Sequence, residues 1–147
     1  MKKMLVAMLT VAVLMVCGFI IAIPIVNDNV AEKTAKELVK IPMPEGTEYI
    51  ESKSRAGKLV GNGNGMQYFG AILIQSELSL EELQEYYSNY ADSEWECIVE
   101  QQRDNEISVI EHGSLAFESE IMGDKFFVVY SWGSNDSIFN EFDIRGH

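Results

Sequence analysis

Cysteine, histidine and basic residues are scarce in this chain of 147 residues, and each scarcity excludes a class of protein. Two cysteines cannot form a disulfide framework or a four-cysteine zinc site. Two histidines, His112 and His147, leave a serine or cysteine nucleophile with few candidate bases. The 11 lysines and arginines are outnumbered by 23 aspartates and glutamates, so the basic patches that bind phosphate backbones are lacking. We therefore expect no nucleic-acid partner.

Charged residues are missing altogether from one long stretch. Residues 4–26 contain no Asp, Glu, Lys or Arg and consist mostly of Leu, Val, Ile, Met and Ala. As a helix this stretch extends about 35 Å, which is enough to cross a hydrocarbon core of about 30 Å. Because Lys2 and Lys3 precede it and Asp28 follows it, the positive-inside bias places the amino terminus in the cytoplasm. The sequence predicts a single-pass signal anchor over residues 1–26 of a cell-membrane protein, with an extracytoplasmic remainder.

Two other interpretations of this segment stay open. Cleavage as a signal peptide would release a secreted domain, although the apolar core of a signal peptide is normally only about 7–15 residues long. Cys17 invites lipidation, but Val16 stands where a small residue is usual, and a polarizable residue within a membrane helix is the preferred interpretation. We expect Pro24 to kink or end the helix, because proline lacks a backbone donor.

The residues after the anchor are acidic and begin with a predicted stalk. Once the two amino-terminal lysines are set aside, nine basic residues oppose 23 acidic ones, a formal charge of −14, which argues against electrostatic docking on anionic lipid. Residues 27–46 predict a juxtamembrane helical stalk that ends at Pro42 and Pro44. Its apolar stripe is thin, so pairing of two copies through it is the secondary interpretation. The folded domain is expected over residues 47–147.

Strands and one helix can be assigned within that domain. Strands predicted over 47–60 and 66–76 flank a Gly-Asn-Gly-Asn-Gly run, which favours a hairpin turn over a phosphate-binding loop. Ser79 and Glu82 form a capping box that begins a helix predicted to run to Ala91. Three further strands are predicted, over 95–102, 107–118 and 125–132.

This order, β-β-α-β-β-β, predicts an α+β fold in which one helix covers an antiparallel sheet in two layers. The tail, residues 134–147, is either a short helix or an edge strand. Because one helix covers one face only, the other face should carry either Tyr68 or Phe69, with one of two alternating sets of the last strand, Phe126/Val128/Tyr130/Trp132 or Phe127/Val129. The candidate residues of this interaction surface are Tyr68, Phe69, Tyr130 and Trp132. That surface would meet a partner, a second copy, or the tail or stalk of the same chain.

Candidate chemistry is sparse. The nucleophile motif Gly-x-Ser-x-Gly is absent. His112, beside Glu111 at an interruption of the predicted strand, is a candidate catalytic or ligand residue, with a solvated or structural role as the alternative. Alternation places Cys97 beside Trp95 and Val99, which favours an inert buried thiol over one that joins two chains. The acidic residues lack calcium-loop spacing, so no metal and no cofactor is predicted.

Several motifs carry a resemblance to a known group of proteins. Gly57-Lys58-Leu59, the Gly-Asn run after it, and Ser79-Leu-Glu-Glu-Leu83 with Tyr86-Tyr87 resemble small membrane-anchored proteins of Gram-positive bacteria over roughly residues 40–100. The resemblance implies one amino-terminal span and a short extracytoplasmic α+β domain, and it supplies no catalytic residue.

The sequence as a whole predicts a non-enzymatic, membrane-anchored interaction domain that binds another envelope protein or a copy of itself. The alternative is a small extracytoplasmic ligand-binding protein or enzyme centred on His112, or a secreted domain released by cleavage.

Overall fold

A computed structural model describes residues 2–60, 65–91, 95–109, 114–134 and 138–147. The elements follow the chain as α1 (Lys2–Lys40), β1 (Thr47–Gly57), β2 (Gln67–Ser76), α2 (Leu80–Ser88), β3 (Ile98–Gln101), β4 (Phe126–Gly133), α3 (Ile138–Phe142) and a 3₁₀ helix (Ile144–Gly146). The predicted α+β class is confirmed, with a long apolar helix followed by an antiparallel sheet.

The four strands form one sheet in the order β1-β2-β4-β3, and every neighbouring pair is antiparallel. β1 and β2 pair from Thr47 opposite Ser76 to Gly57 opposite Gln67, as a hairpin requires. The predicted turn between them covers residues 61–65, of which 61–64 lie outside the described residues. β4 lies between β2 and β3, which agrees with a sequence that is apolar on both sides.

The prediction of a sheet strand over 107–118 is wrong for the described residues of that range. Ala116 forms only an isolated bridge with Glu106, and neither joins the four-stranded sheet. Ile107 and Phe117 are buried against one face of the sheet instead. Apolar alternation reports that one side of a segment is buried, and packing over a sheet satisfies it as well as pairing within one.

The two faces of the sheet are covered by different parts of the chain. One face, here named the helical face, packs against both α1 and α2, where one helix was predicted. Its core consists of residues from both helices and the strands: Leu38 of α1 and Ile41 just after it, Leu83 and Tyr87 of α2, and Ile72, Ile74, Val99, Phe127 and Val129 of the strands. The opposite loop face packs against the segment between β3 and β4.

α1 is a continuous helix that passes through Pro24, so the predicted end at that residue is not observed. Proline loses one backbone hydrogen bond but has a helical φ, and the packed residues after it support the helix. Residues 4–21 are exposed, whereas a buried stripe runs along the second half of the helix: Ile23, Asn27, Ala31, Ala35 and Leu38.

The segment expected to be a stalk is therefore helical but packs onto the sheet. Small residues at the contact allow this close approach, because a Cβ on Gly70 of β2 would lie only 2.3 Å from the backbone nitrogen of Ala35.

The tail takes the helical alternative and lies across the ends of β1 and β2. The amide of Lys58 donates to the carbonyl of Arg145 at 3.1 Å, and the amide of Gly65 donates to the carbonyl of Gly146 at 2.7 Å. α3 packs against α1, with the rings of Phe19 and Phe139 centred 5.6 Å apart. Helix, hairpin and tail thus meet at one end of the sheet.

Candidate functional site

Tyr68 and Phe69, the two alternatives for the predicted interaction surface, lie on opposite faces of the sheet. Tyr68 lies on the helical face beside α1, whereas Phe69, Tyr130 and Trp132 lie on the loop face. Tyr68 is 2% exposed, Phe69 0% and Tyr130 7%, while Trp132 is half-buried. Most of the expected aromatic surface is therefore covered by other parts of the same chain.

The buried hydroxyl of Tyr68 is satisfied by a polar cluster between α1, β2 and the tail. The hydroxyl donates to Oδ1 of Asn27 at 2.8 Å and also contacts the side chain of Asn140. Asn27 is fully buried, and its Nδ2 donates to Oδ2 of Asp143 at 2.7 Å and to the carbonyl of Phe139 at 3.3 Å. One amide side chain of α1 therefore connects the sheet to the tail.

Arg145 completes this cluster from the tail. Its Nε and Nη2 donate to the two carboxylate oxygens of Asp143 at 2.9 and 2.7 Å, and its Nη1 donates to Asp28 at 2.7 Å. Burial alone would raise the pKa of Asp143, but the hydrogen bonds from Arg145 and Asn27 outweigh it and hold that pKa at about 2. The carboxylate is therefore ionised at neutral pH and balanced by the guanidinium.

These six residues are named the junction cluster: Asn27, Asp28, Tyr68, Asn140, Asp143 and Arg145. Their polar groups bond to one another across three elements. This pattern is typical of a structural network that fixes elements together, since every buried charge is paired and hydrogen-bonded.

The segment over the loop face is fastened to β1 by polar contacts at its edge. The carboxylate of Glu51 accepts from the amide of Glu118 at 2.7 Å and from the Ser119 hydroxyl at 2.8 Å. Lys53 forms an ion pair with Glu118 at 2.8 Å. The apolar side chains of Leu115 and Phe117 pack beneath. This segment covers the part of the sheet that was expected to need a partner.

Part of the loop face stays open as a cleft of about 350 Å³. The residues that line this loop-face cleft are Leu59, Val60, Ile98, Ser108, Val109, Tyr130 and Trp132. Val60 at its rim is 61% exposed. Its lining is mostly apolar, and its volume lies at the small end of the range for ligand pockets. Two of the four predicted surface residues, Tyr130 and Trp132, therefore border an accessible site.

Cys97 is half-buried and packs with Trp95 against the helical-face core, to which Val99 also belongs. This is the side of the strand that alternation assigned to it. Burial raises the pKa of the Cys97 thiol to about 11, so the reactive thiolate is rare at neutral pH.

The other weak candidate, His112, lies outside the described residues. Within the described ranges, no group of three His, Cys, Asp or Glu side chains is placed to hold a metal ion.

Sequence reasoning did not identify the junction cluster. Asn27 was interpreted as a residue after the span, although it is spaced four and eight residues from Ala31 and Ala35 and begins the buried face of α1. That spacing was the available signal. The pairing of Asp143 and Arg145 with residues of α1 joins positions more than 100 residues apart, which no local pattern reports.

Comparison with known proteins adds no relative: no family model, no curated protein and no solved structure matches the chain.

Proposed function

We propose that the chain is a non-catalytic, membrane-anchored protein-binding domain that faces the outside of the cell. The supporting observation is the continuity of α1, whose exposed apolar half and buried half belong to one helix. By length and composition this helix is apolar enough to cross a membrane, and 6% of its most apolar window is buried within the protein. An apolar helix that is not covered by protein is suited to lipid.

The continuity of α1 also fixes the position at which the domain would contact a partner. Because α1 enters the domain without a flexible linker, the sheet stays close to the membrane surface and at a fixed orientation to it. A freely tethered enzyme needs no such constraint, whereas a domain that contacts a second membrane or envelope protein gains from it, because less orientational freedom is lost on binding. The second copy of this chain is the other partner consistent with the arrangement.

The loop-face cleft is the proposed binding site. It is the open remainder of the aromatic surface predicted from the sequence, and it offers Val60, Tyr130 and Trp132 to an apolar side chain of the partner. Aromatic residues that border an accessible cleft are frequent among residues that dominate binding energy.

Site-specific photo-crosslinking in intact cells tests this proposal. A photoreactive amino acid replaces Val60 at the cleft, and a matched chain carries it at Met122, an apolar residue that is also exposed, 68% against 61%. We expect a discrete adduct from position 60 and none from position 122, and its mass separates a second copy from another protein. Equal labelling from the two positions, or none from either, contradicts the assignment of the cleft.

The anchor and its orientation are tested separately. We expect the full chain to stay with the membrane fraction and its domain to be degraded by protease added to intact cells. Protection until lysis would overturn the orientation, and a mature amino terminus beyond residue 26 would favour the secreted alternative.

A further inference from the structure

The tail presents an apolar surface beside the apolar half of α1. Ile138 is 67% exposed, Phe142 60% and Ile144 86%. These side chains lie in α3 and the 3₁₀ helix, which are held in place by the contact of Phe139 with α1 and by the hydrogen bond from Gly65 to Gly146. Three large apolar side chains clustered on a ten-residue segment form a patch that water solvates poorly.

The position of this patch along α1 indicates what covers it. The ring of Phe142 packs against that of Phe19 with centroids 5.6 Å apart. Phe19 precedes the end of the uncharged stretch, Val26, by seven residues, which is about 10 Å along a helix axis. If residues 4–26 cross the membrane, Phe142 lies at the depth where interfacial helices place their apolar face, about 5–10 Å into the boundary of headgroups and acyl chains.

A groove between tail and helix continues the same apolar surface. Its volume is about 610 Å³, and most of its lining residues are apolar: Phe19, Ile20, Ile23, Pro24, Phe142 and Ile144, with Asp143 and Arg145 of the junction cluster beside them. The exposed apolar side of α1 therefore continues along the groove to Phe142 and Ile144 of the tail, with the ion pair of Asp143 and Arg145 at the groove wall.

The charges next to the patch are arranged so that the tail can approach lipid. The guanidinium of Arg145 is paired with both Asp143 and Asp28, and Asp143 is 3% exposed. The charged residue within α3 itself is Glu141, which is exposed. The carboxylate of Glu141 favours a position of α3 among the lipid headgroups over deeper insertion, because a charge in hydrocarbon is costly.

We propose that α3 and the 3₁₀ helix form a second membrane contact, in which Phe142 and Ile144 insert among the lipids of the outer leaflet and an acyl chain fills the groove beside Phe19. The contact rests on the proposed span of α1. It is driven by apolar burial, since the acidic domain gives no attraction to anionic lipid.

Spin labels on the full chain in phosphatidylcholine nanodiscs test this contact. In a parent chain carrying Cys17→Ala and Cys97→Ala, single cysteines replace Phe142, Ile144, Met122 or Leu14, and each label is measured for collision with oxygen, which enriches in lipid, and with a water-soluble nickel chelate. Met122 precedes β4 at the end of the sheet where Phe126 pairs with Gln75, and Tyr68 and the tail lie at the opposite end. Position 122 is therefore the aqueous control. Leu14 reports on the span itself.

We expect the oxygen-to-chelate ratio at positions 142 and 144 to exceed that at 122 several-fold and to approach the ratio at 14. Ile144 makes few contacts, so its replacement keeps the test valid if the Phe142→Cys chain folds poorly. A high oxygen-to-chelate ratio at position 14, with a ratio at 142 or 144 as low as that at 122, overturns the second contact and leaves the anchor intact. An aqueous reading at 14 overturns the anchor, and the tail contact with it.

Discussion

Gly70 and Gly146 are two positions at which a side chain has no room. A Cβ on Gly70 would meet the backbone of Thr34 and Ala35, and a Cβ on Gly146 would lie 2.7 Å from the backbone nitrogen of Met66. In both cases the obstacle is backbone, which cannot rotate away as a side chain can. At the residue scale, these glycines permit the two contacts that join α1 and the tail to the sheet.

Replacing Gly70 with alanine should separate α1 from β2. We expect Gly70→Ala to destabilise the full chain in detergent by about 1–3 kcal/mol, the usual cost of overpacking a core. Urea unfolding followed by tryptophan fluorescence measures the change. Gly133→Ala is the matched control, because it is also in a strand and a Cβ there meets nothing within 4 Å. Equal stability of the two variants would contradict the close contact.

The junction cluster makes stability depend on acid through Asp143. Its pKa is lowered in the folded chain from an ordinary 3.8 to about 2, so the carboxylate binds a proton more readily after unfolding. The stabilisation is therefore present above about pH 4 and is lost as pH falls from about 4 to about 2.

Asp143→Asn should remove that dependence. We expect a loss of about 1.5–3 kcal/mol in the free energy of unfolding at pH 7, the range for hydrogen bonds to charged groups, and a much smaller loss at pH 2. Unfolding curves of both chains at the two pH values measure it, with Asp124→Asn on an exposed turn as the control. A loss of the same size at both pH values would show that the charge of Asp143 is not what stabilises the cluster.

Residue patterns predicted local features better than contacts between distant segments. The capping box at Ser79 and the neighbours of Cys97 depend on a few adjacent residues, and both were read correctly from spacing. Asn27 and Arg145 acquire their roles only when α1 and the tail meet. No periodicity encodes that meeting, since periodicity shows which side of an element is buried and not what buries it.

At the scale of elements, α2 is the helix whose beginning is most completely specified. The hydroxyl of Ser79 accepts from the amide of Glu82, and the Glu82 carboxylate accepts from the amide of Ser79. Each bond satisfies an amide that the first helical turn leaves free. Leu83 and Tyr87 then bury one side of α2 on the helical face.

Ser79→Ala should weaken the start of α2. We expect a loss of about 1 kcal/mol, the typical contribution of an N-cap side chain, measured by urea unfolding of the full chain. Ser88→Ala at the other end of the same helix is the control, and it should change stability little, because alanine is a better helix former. A larger loss from Ser88→Ala than from Ser79→Ala would contradict this account of the helix.

α1 is the element whose observed role differs most from the role predicted from the sequence. Its helical character was predicted in both halves, but Ala31 and Ala35 were not recognised as core residues, because alanine adds little to an apolar stripe. Small residues at helical spacing predict a close contact and give a weak hydrophobic signal.

Truncation separates the two halves of α1. A chain of residues 27–147 should unfold cooperatively, whereas residues 41–147, which lack the helix over Gly70 and Ile72, should not. Circular dichroism with thermal melting measures both, at equal protein concentration. A cooperative transition in the shorter chain would show that residues 27–40 are dispensable to the domain.

At the scale of the whole molecule, α1, the sheet and the tail pack together as one body. α1 supplies both the proposed span and a layer of the core, and the tail returns to the same helix through Asn27 and Asp28. The proposed loop-face cleft and the proposed lipid contact of the tail are therefore held in fixed relation to the anchor. Residues 27–40 therefore belong to the folded domain and are not a stalk outside it.

Amide hydrogen exchange of the full chain in nanodiscs tests that claim most directly. We predict that the amides of residues 27–40 exchange as slowly as those of β2, because opening them requires the core to open. A free helical stalk of that length is marginally stable in water and would exchange rapidly. Rapid exchange over residues 27–40, with β2 still protected, would contradict the account.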